Sequence, residues 1–334
     1  VTPMPAGQGS VAIDPSTGEY TYDPGNDFQG LAAGETTQVT FDVTADDANG
    51  GSATETVTVT ITGTNDDPTL SVSDLGATED GPAISGTPTF TDADLSDTPT
   101  YSVTPMPACQ GSVTIDPSTG EYTYDPGADF QGLAAGETTQ VTFDVTADDG
   151  NGGLVTETVT VTITGTNDDP TLSVSDLDAT EDGPAISGTP TFTDADLSDT
   201  PAYSVTPMPA GQGSVAIDPS TGEYTYDPGA DFQGLAAGET TEVTFDVTAD
   251  DGNGGLVTET VTVTITGTND DPALSVSDLS ATEDGSTVTG TPTFTDVDLS
   301  DTPIYSVTPM PAGQGSVAID ASTGEYTYDP GNDF

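Results

Sequence analysis

The chain has 334 residues, no Lys, Arg or His, and 57 Asp plus Glu, for a formal net charge of −57. Without a cation of its own it cannot neutralise phosphate, which excludes nucleic acid and direct contact with an anionic membrane; the usual general bases and Schiff-base nucleophiles are missing too. A single Cys leaves no internal disulfide framework and no thiolate metal site, no apolar run approaches the roughly 18 residues of a membrane helix, and no basic n-region marks a signal peptide.

A hydrophobic fraction of 32% beside this charge is a composition that usually stays disordered. Here, however, the apolar residues alternate with Thr in short runs, which is a strand pattern. The sequence also repeats at an offset of 102 residues: Val1, Val103, Val205 and Val307 each open a VTPMPA segment, with Cys109 interrupting the second copy just downstream. The motif NDDP recurs at Asn65–Pro68, Asn167–Pro170 and Asn269–Pro272. A period of this length fits one folded domain per repeat, strung like beads. Cutting at NDDP predicts a partial repeat lacking its first strands (1–66), complete repeats at 67–168 and 169–270, and a partial repeat lacking its last strands (271–334). That phase is the one expected of a window cut from a longer array.

Within 67–168 the elements follow in order. Leu70 and Val72 alternate with Ser71 and Ser73, a first strand. Residues 84–90 read as a second, weakened by Gly86 and Pro88. Tyr101 and Val103 form a third. Val113 and Ile115, the turn Asp116-Pro117-Ser118-Thr119-Gly120, then Tyr122 and Tyr124 make a hairpin. Val141, Phe143 and Val145 alternate with polar residues, the turn 148–153 follows, and Val159, Val161 and Ile163 complete the clearest hairpin. About seven short strands and no helical period predict an all-β fold of tandem Ig-like or cadherin-like antiparallel β-sandwiches, each spanning ~40 Å. Met106, between Pro105 and Pro107, is expected to plug one end of the core.

The acids gather in loops. In 67–168 these are Glu79-Asp80, the run Asp92, Asp94 and Asp97, the pair Asp148-Asp149, and the boundary Asn167-Asp168-Asp169. The next period repeats them as Glu181, Asp182, Asp194, Asp196, Asp199, Asp250, Asp251, Asn269, Asp270 and Asp271. The partial repeats contribute Asp46, Asp47, Asn65, Asp66 and Asp67 at one end and Glu283, Asp284, Asp296, Asp298 and Asp301 at the other. Two like charges about 4 Å apart repel by roughly 4 kcal/mol at an effective dielectric near 20. Several together would rival the ~5–15 kcal/mol stability of a domain. With no Lys or Arg to offset this, either solvent keeps the groups apart or a metal joins them. Every available ligand is a hard oxygen, the set that suits Ca²⁺ rather than Zn²⁺ or Cu²⁺. Asp116 and Asp125, each before a Pro, are read as turn residues only.

GTNDDP at 165–170, ATEDG at 77–81, FTDADLSD at 90–97, GSVTIDPSTGEYTYDPGADFQG at 111–132 and VTADDGNGG at 145–153 together resemble the cadherin-like and VCBS-type repeats of giant bacterial surface adhesins, including the extender regions of RTX adhesins. The resemblance covers the whole chain. It implies an extracellular, cell-surface location and Ca²⁺ at the domain junctions, holding neighbouring repeats of the same chain in line. Carried over, it groups Asn65, Asp66 and Asp67 with Asp46, Asp47, Glu79, Asp80, Asp92 and Asp94 at the first junction, and the same set one and two periods later. The glycine-rich calcium nonapeptides of the RTX secretion region are absent. Position 48 is Ala where the later repeats have Gly150 and Gly252, which weakens the first turn.

Catalysis is not expected, because the carboxylates recur in every unit instead of converging on one pocket. No Trp offers a sugar platform, and Thr rows such as Thr158, Thr160 and Thr162 are ordinary solvent-face strand residues before they are an ice-binding array. Cys109 stands where the other repeats have Gly7, Gly211 and Gly313, and reads as a loop substitution or an intermolecular thiol. The alternative to a covalent spacer is a self-assembling fibre in which copies of the chain complete each other's open halves.

Overall fold

Every regular element among the described residues is a strand in the computed structural model, which covers residues 1–333; Phe334, the last residue of the segment 271–334, lies outside it. No helix long and apolar enough to cross a membrane is present among the described residues. The complete repeat 67–168 contains β1 (Thr69–Ser71), β2 (Leu75–Thr78), β3 (Ile84–Gly86), β4 (Thr89–Thr91), β5 (Thr100–Val103), β6 (Ser112–Ile115), β7 (Tyr122–Asp125), β8 (Thr138–Asp148) and β9 (Leu154–Thr164). One face is the sheet β6-β7-β3 together with the pair β1-β4; the other is the sheet β2-β9-β8-β5. The same topology recurs in 169–270.

The period-two alternation explains the core. Val141, Phe143, Val145 and Ala147 of β8 and Val159, Val161 and Ile163 of β9 all turn inward and are buried, while their Thr neighbours face out. Tyr122 and Tyr124 of β7 meet them from the opposite sheet, fully buried, with Tyr122 edge-on to Phe143 at 5.6 Å. Each tyrosine hydroxyl still finds an acceptor: Tyr122 donates to Ser73 O (3.2 Å) and Tyr124 to Gln110 O (2.9 Å). Burial, with Asp129 and Asp125 nearby, pushes the Tyr124 phenol up to about 12. Met106 packs against this core, as the proline-flanked position suggests.

Two sequence expectations change. The run 84–90 is two strands with different partners, β3 on β7 and β4 on β1, because Pro88 lacks the N–H that would continue a ladder. The strand β2 carries too little apolar alternation to be read from sequence. It pairs with β9 in parallel, Leu75 opposite Val161 and Thr78 opposite Thr164, so the sandwich is antiparallel except along this edge. Counting β1/β2 and β3/β4 as interrupted strands returns the nine segments to about seven.

The chain divides into two compact units, Val1–Asp168 with Asp196–Ser198, and Asp169–Ala195 with Asp199–Phe334. Residues 1–66 hold two hairpins, Ser10–Ile13 with Tyr20–Asp23 and Thr36–Asp46 with Ser52–Thr62. Residues 271–333 hold the pair Ala273–Ser275 with Thr293–Thr295 and the sheet Val288–Gly290, Tyr326–Asp329, Ser316–Ile319. Residues 1–66 keep one hairpin of each face without the strands that flank them, and residues 271–333 hold no part of the long-hairpin face. Tyr20 is accordingly 45% exposed where its counterparts Tyr122 and Tyr224 are 0%. Leu274 is 61% exposed against 7% for Leu172.

Cys109 keeps the left-handed backbone of the glycines it replaces, with φ +61° against +84° at Gly211 and +82° at Gly7 and Gly313. A side-chain carbon at those glycines meets nothing, so the only cost of the cysteine is conformational. Cys109→Gly should therefore raise the stability of its repeat by about 1 kcal/mol. Urea unfolding would show this as a higher midpoint at unchanged slope, and a lower midpoint would contradict it.

Candidate metal centres at the repeat boundaries

The long hairpins decide which acids can meet. β8 and β9 pair over eleven residues each, from Thr138 opposite Thr164 to Asp148 opposite Leu154. At ~3.3 Å per residue, the turn after Asp148 lies some 30 Å from the residues that follow Thr164. The turn 148–153 therefore sits at the end where the repeat begins, and the boundary 167–169 at the end where it finishes.

At the first boundary, inside the first unit, the linker is held by the repeat that follows it. Asn65 Nδ2 donates to Asp149 Oδ2 (3.0 Å), and the Asp66 N–H donates to Asp94 Oδ2 (2.8 Å). The Asp149 Oδ1 accepts the N–H groups of Asn151 (2.7 Å), Gly152 (3.0 Å) and Gly153 (3.0 Å), a turn in which Gly153 leaves room for the carboxylate folded over it. Asn151 Nδ2 in turn donates to Asp97 Oδ1 (2.8 Å). One carboxylate oxygen each from Asp92, Asp97 and Asp149 lies within 4.8 Å of the others. Asp94 and Asp149 are buried, and Asn65 Oδ1, Asp92 Oδ2, Asp94 Oδ1 and Asp97 Oδ2 are buried oxygens with no hydrogen-bond partner.

A second kind of group forms at the far end of a repeat. Because β2 runs parallel to β9, Glu79 is carried to the end where β9 stops. Its Oε1 accepts the Thr166 N–H (2.6 Å) and hydroxyl (3.3 Å), while Gln131 Nε2 donates to Asp80 Oδ1 (2.9 Å). The Glu79 side chain is only 1% exposed, and its Oε2 has no partner. Also within the first unit, the Asp168 N–H donates to Asp196 Oδ2 (2.9 Å).

Both kinds recur in the second unit. Asp194, Asp199 and Asp251 bring oxygens within 4.8 Å of one another, with Asn253 donating to Asp199 (2.7 Å). Glu181 from one repeat, Asp270 from the linker and Asp298 from the next repeat form the other group. Here Thr268 and Gln233 hold Glu181 and Asp182 as before, and the Asp270 N–H donates to Asp298 Oδ2 (3.0 Å). Glu181 Oε2, Asp270 Oδ2 and Asp298 Oδ1 are left without partners.

These positions correct the expected grouping of the first junction. Glu79 and Asp80 belong with Thr166 and Asp168, one repeat length from Asn65, because parallel pairing with β9 carries them there. Asp46 and Asp47 lie at the opposite end of their hairpin from Asn65, since Asp46 pairs with Ser52 while Thr36 pairs with Thr62. They hold their own turn, Asp46 accepting the Ala48 N–H and Asp47 those of Asn49 and Gly51. Ala48 takes φ +60°, so the substitution does not abolish the turn. Asp148 and Asp250 likewise accept the N–H of Gly150 and Gly252. The second Asp of each boundary motif, Asp67, Asp169 and Asp271, is exposed and outside the carboxylate groups. Asn269 is exposed and bonds to Asp270 O. Glu283 and Asp284 are exposed, without the threonine that clasps Glu79 and Glu181. Asp296 and Asp301 lie near enough to Asp298 for their charges to act on one another. Sequence reasoning passed over Thr166, Gln131 and Asn151, neutral residues whose only signal is their place beside the acids.

Burial raises the Glu79 carboxyl above its ordinary value of 4.5, with Asp80 and Asp168 adding to it against the Thr166 hydrogen bonds. Burial likewise raises Asp270, helped by Asp182, Asp298, Glu181 and Asp296, and raises Asp301 beside Asp298, Asp296 and Glu239. Burial acts upward on Asp149 too, but the Asn65 amide and the backbone N–H groups outweigh it and hold that carboxyl below 3.8. A carboxyl whose folded pKa is raised stabilises the fold when protonated, and that contribution is lost as pH rises through the folded pKa. In chelator, the thermal midpoint should therefore climb as pH falls from 7 toward about 5, before the depressed carboxyls such as Asp149 begin to titrate. A midpoint that falls steadily over that range contradicts this arrangement.

A family model described as the bacterial cadherin-like domain matches residues 65–165 and 167–267, and a bacterial Ig domain model matches residues 1–60. No curated protein matches the chain. Among solved structures, PcdhgB3 EC1-4 is similar with a TM-score of 0.52 at 17% identity, over 96% of this chain and 80% of that one. Extracellular cadherin domains 1-5 of Protocadherin Gamma B2 give 0.51 at 17%, over 96% of this chain and 63% of that one. The protocadherin gammaB7 EC3-6 cis-dimer structure gives 0.51 at 16%, over 98% and 81%. At these identities the likeness is one of fold. With the cadherin-like match extending over two consecutive repeats and more than half of its length, the chain belongs to the bacterial cadherin-like domain family.

Proposed function

We propose that the chain is a run of calcium-rigidified spacer repeats from a large secreted bacterial surface adhesin of the RTX type, separating a cell surface from whatever the adhesin grips in attachment or biofilm growth. The observation that carries this is the set of buried carboxylate oxygens, in Asp92, Asp94, Asp97 and Glu79 and again in Glu181, Asp270 and Asp298, that have no donor and no Lys or Arg in the whole sequence to supply one. Such groups are costly as they stand. Their donor set, all carboxylate and carbonyl oxygen in loops, fits a hard divalent ion of flexible coordination.

The residues divide the work. Asp92, Asp97 and Asp149, with Asn65 from the linker, would hold an ion against the start of one repeat, and Asp194, Asp199 and Asp251 would do so in the next. Glu181, Asp270 and Asp298 would bridge one repeat, the linker and the following repeat. Bound calcium supplies positive charge at the linker. Thr166 and Thr268 orient the glutamates, Gln131 and Gln233 orient Asp80 and Asp182, and Asn151 and Asn253 orient Asp97 and Asp199. The linker backbone is already tied to the following repeat through Asp66 and Asp270, and an ion held by these carboxylates would stiffen that hinge. The remaining acids leave a polyanionic surface that keeps arrays soluble and apart.

Thermal unfolding of the full chain in EDTA, in millimolar Ca²⁺ and in equal Mg²⁺ tests this. Saturation about a hundredfold above the dissociation constant should raise the midpoint by about 10 °C or more with Ca²⁺, and far less with Mg²⁺. Equal midpoints in Ca²⁺ and EDTA would remove the calcium role. Asp97→Asn relieves repulsion while keeping a partner for Asn151. It should leave the EDTA midpoint unchanged or higher and lower calcium affinity at that repeat about tenfold or more in calorimetric titration. Unaltered affinity would take Asp97 out of the site.

A further inference from the structure

The loop that carries Asp92, Asp94 and Asp97 also carries a leucine that no acidic group explains. Leu95 and its counterpart Leu299 are each 85% exposed, in loops. Each nonetheless makes a defined contact with the repeat before it. The Leu95 N–H donates to Gly30 O at 3.4 Å, and the Leu299 N–H donates to Gly234 O at 3.3 Å. The side chain lies over the same glycine. A side-chain carbon built on Gly30 would stand 3.1 Å from both Cγ and Cδ1 of Leu95; on Gly234 it would stand 3.1 Å from Cγ and 3.0 Å from Cδ1 of Leu299. Neither glycine adopts a left-handed φ, so the backbone does not require glycine there. A side chain there would instead press on the leucine, which would have to give way to admit it.

We propose that Leu95 on Gly30 and Leu299 on Gly234 form a latch that joins consecutive repeats without any cation. Each contact lies inside one compact unit, and the two stand at equivalent positions two periods apart. The latch touches the preceding repeat through Leu95 while the neighbouring Asp94 holds the linker through the Asp66 N–H, so one short loop grips both. The acidic loop is thereby placed against the junction before any ion arrives, and the latch stands whether or not the acids hold calcium.

Amide exchange at residues 95 and 299, followed by ¹⁵N NMR of the full chain in EDTA, tests it. Gly30→Val with Gly234→Val places a side chain where the leucine lies. Leu95→Ser with Leu299→Ser removes the latch from an exposed position, where the core cannot be disturbed. In both double variants exchange at the two amides should be about tenfold faster than in the unaltered chain, with the thermal midpoint in EDTA nearly unchanged. Equal exchange rates in all three proteins overturn the latch. They leave the calcium role to its own test, since no cation is present in this experiment.

Discussion

Uncompensated negative charge is the constraint on which the rest of this molecule depends. A chain with 57 carboxylates and no cationic side chain has no internal means of pairing a buried acid. It nevertheless buries Glu79, Asp94 and Asp149, and likewise Glu181, Asp196, Asp251 and Asp298, almost completely. Backbone N–H groups, threonine hydroxyls and side-chain amides satisfy some of the oxygens, and each hydrogen bond to a charged acceptor is worth more than a neutral one. Others have no donor at all. The repeat boundaries are therefore poised: stable enough to form in a folded chain, and electrostatically incomplete.

The sandwich contributes the separation that makes this incompleteness useful. The eleven-residue strands of the long hairpin place the acidic turn at one end and the glutamate clasp at the other. Each complete repeat thus presents one kind of acidic group at its start and the partner half of another at its finish. Consecutive repeats complete each other's groups, as Glu181, Asp270 and Asp298 do. The apolar core between Tyr122, Tyr124 and the β8–β9 hairpin takes no part in this chemistry, but it holds the two ends a fixed distance apart.

Much of this was legible in the residues. The repeat, the all-β character, both hairpins and the concentration of acids at the boundaries follow from period-two alternation and turn chemistry, which are local. The grouping of the acids was not legible. It depends on β2 pairing with β9 in parallel, and a three-dimensional neighbour leaves no mark on a segment as short as Leu75–Thr78. Nearly identical segments make the point inside this one chain. Residues 279–282 match 75–78 closely but form no strand, and 304–307 form none where Thr100–Val103 and Ala202–Val205 do. In both cases the long hairpin that would pair with them is not opposite.

The amino-acid sequence alone determined the repeat period and the all-β kind of its domains, the hard-oxygen character of every possible ligand, and the absence of any cationic side chain, because composition and short-range periodicity are properties of the chain itself. Only the tertiary structure decided which acids meet, which of them merely cap a turn, and which neutral residues orient them. Those outcomes depend on strand length and strand pairing, which bring residues such as Glu79 and Thr166, 87 positions apart, into one hydrogen bond.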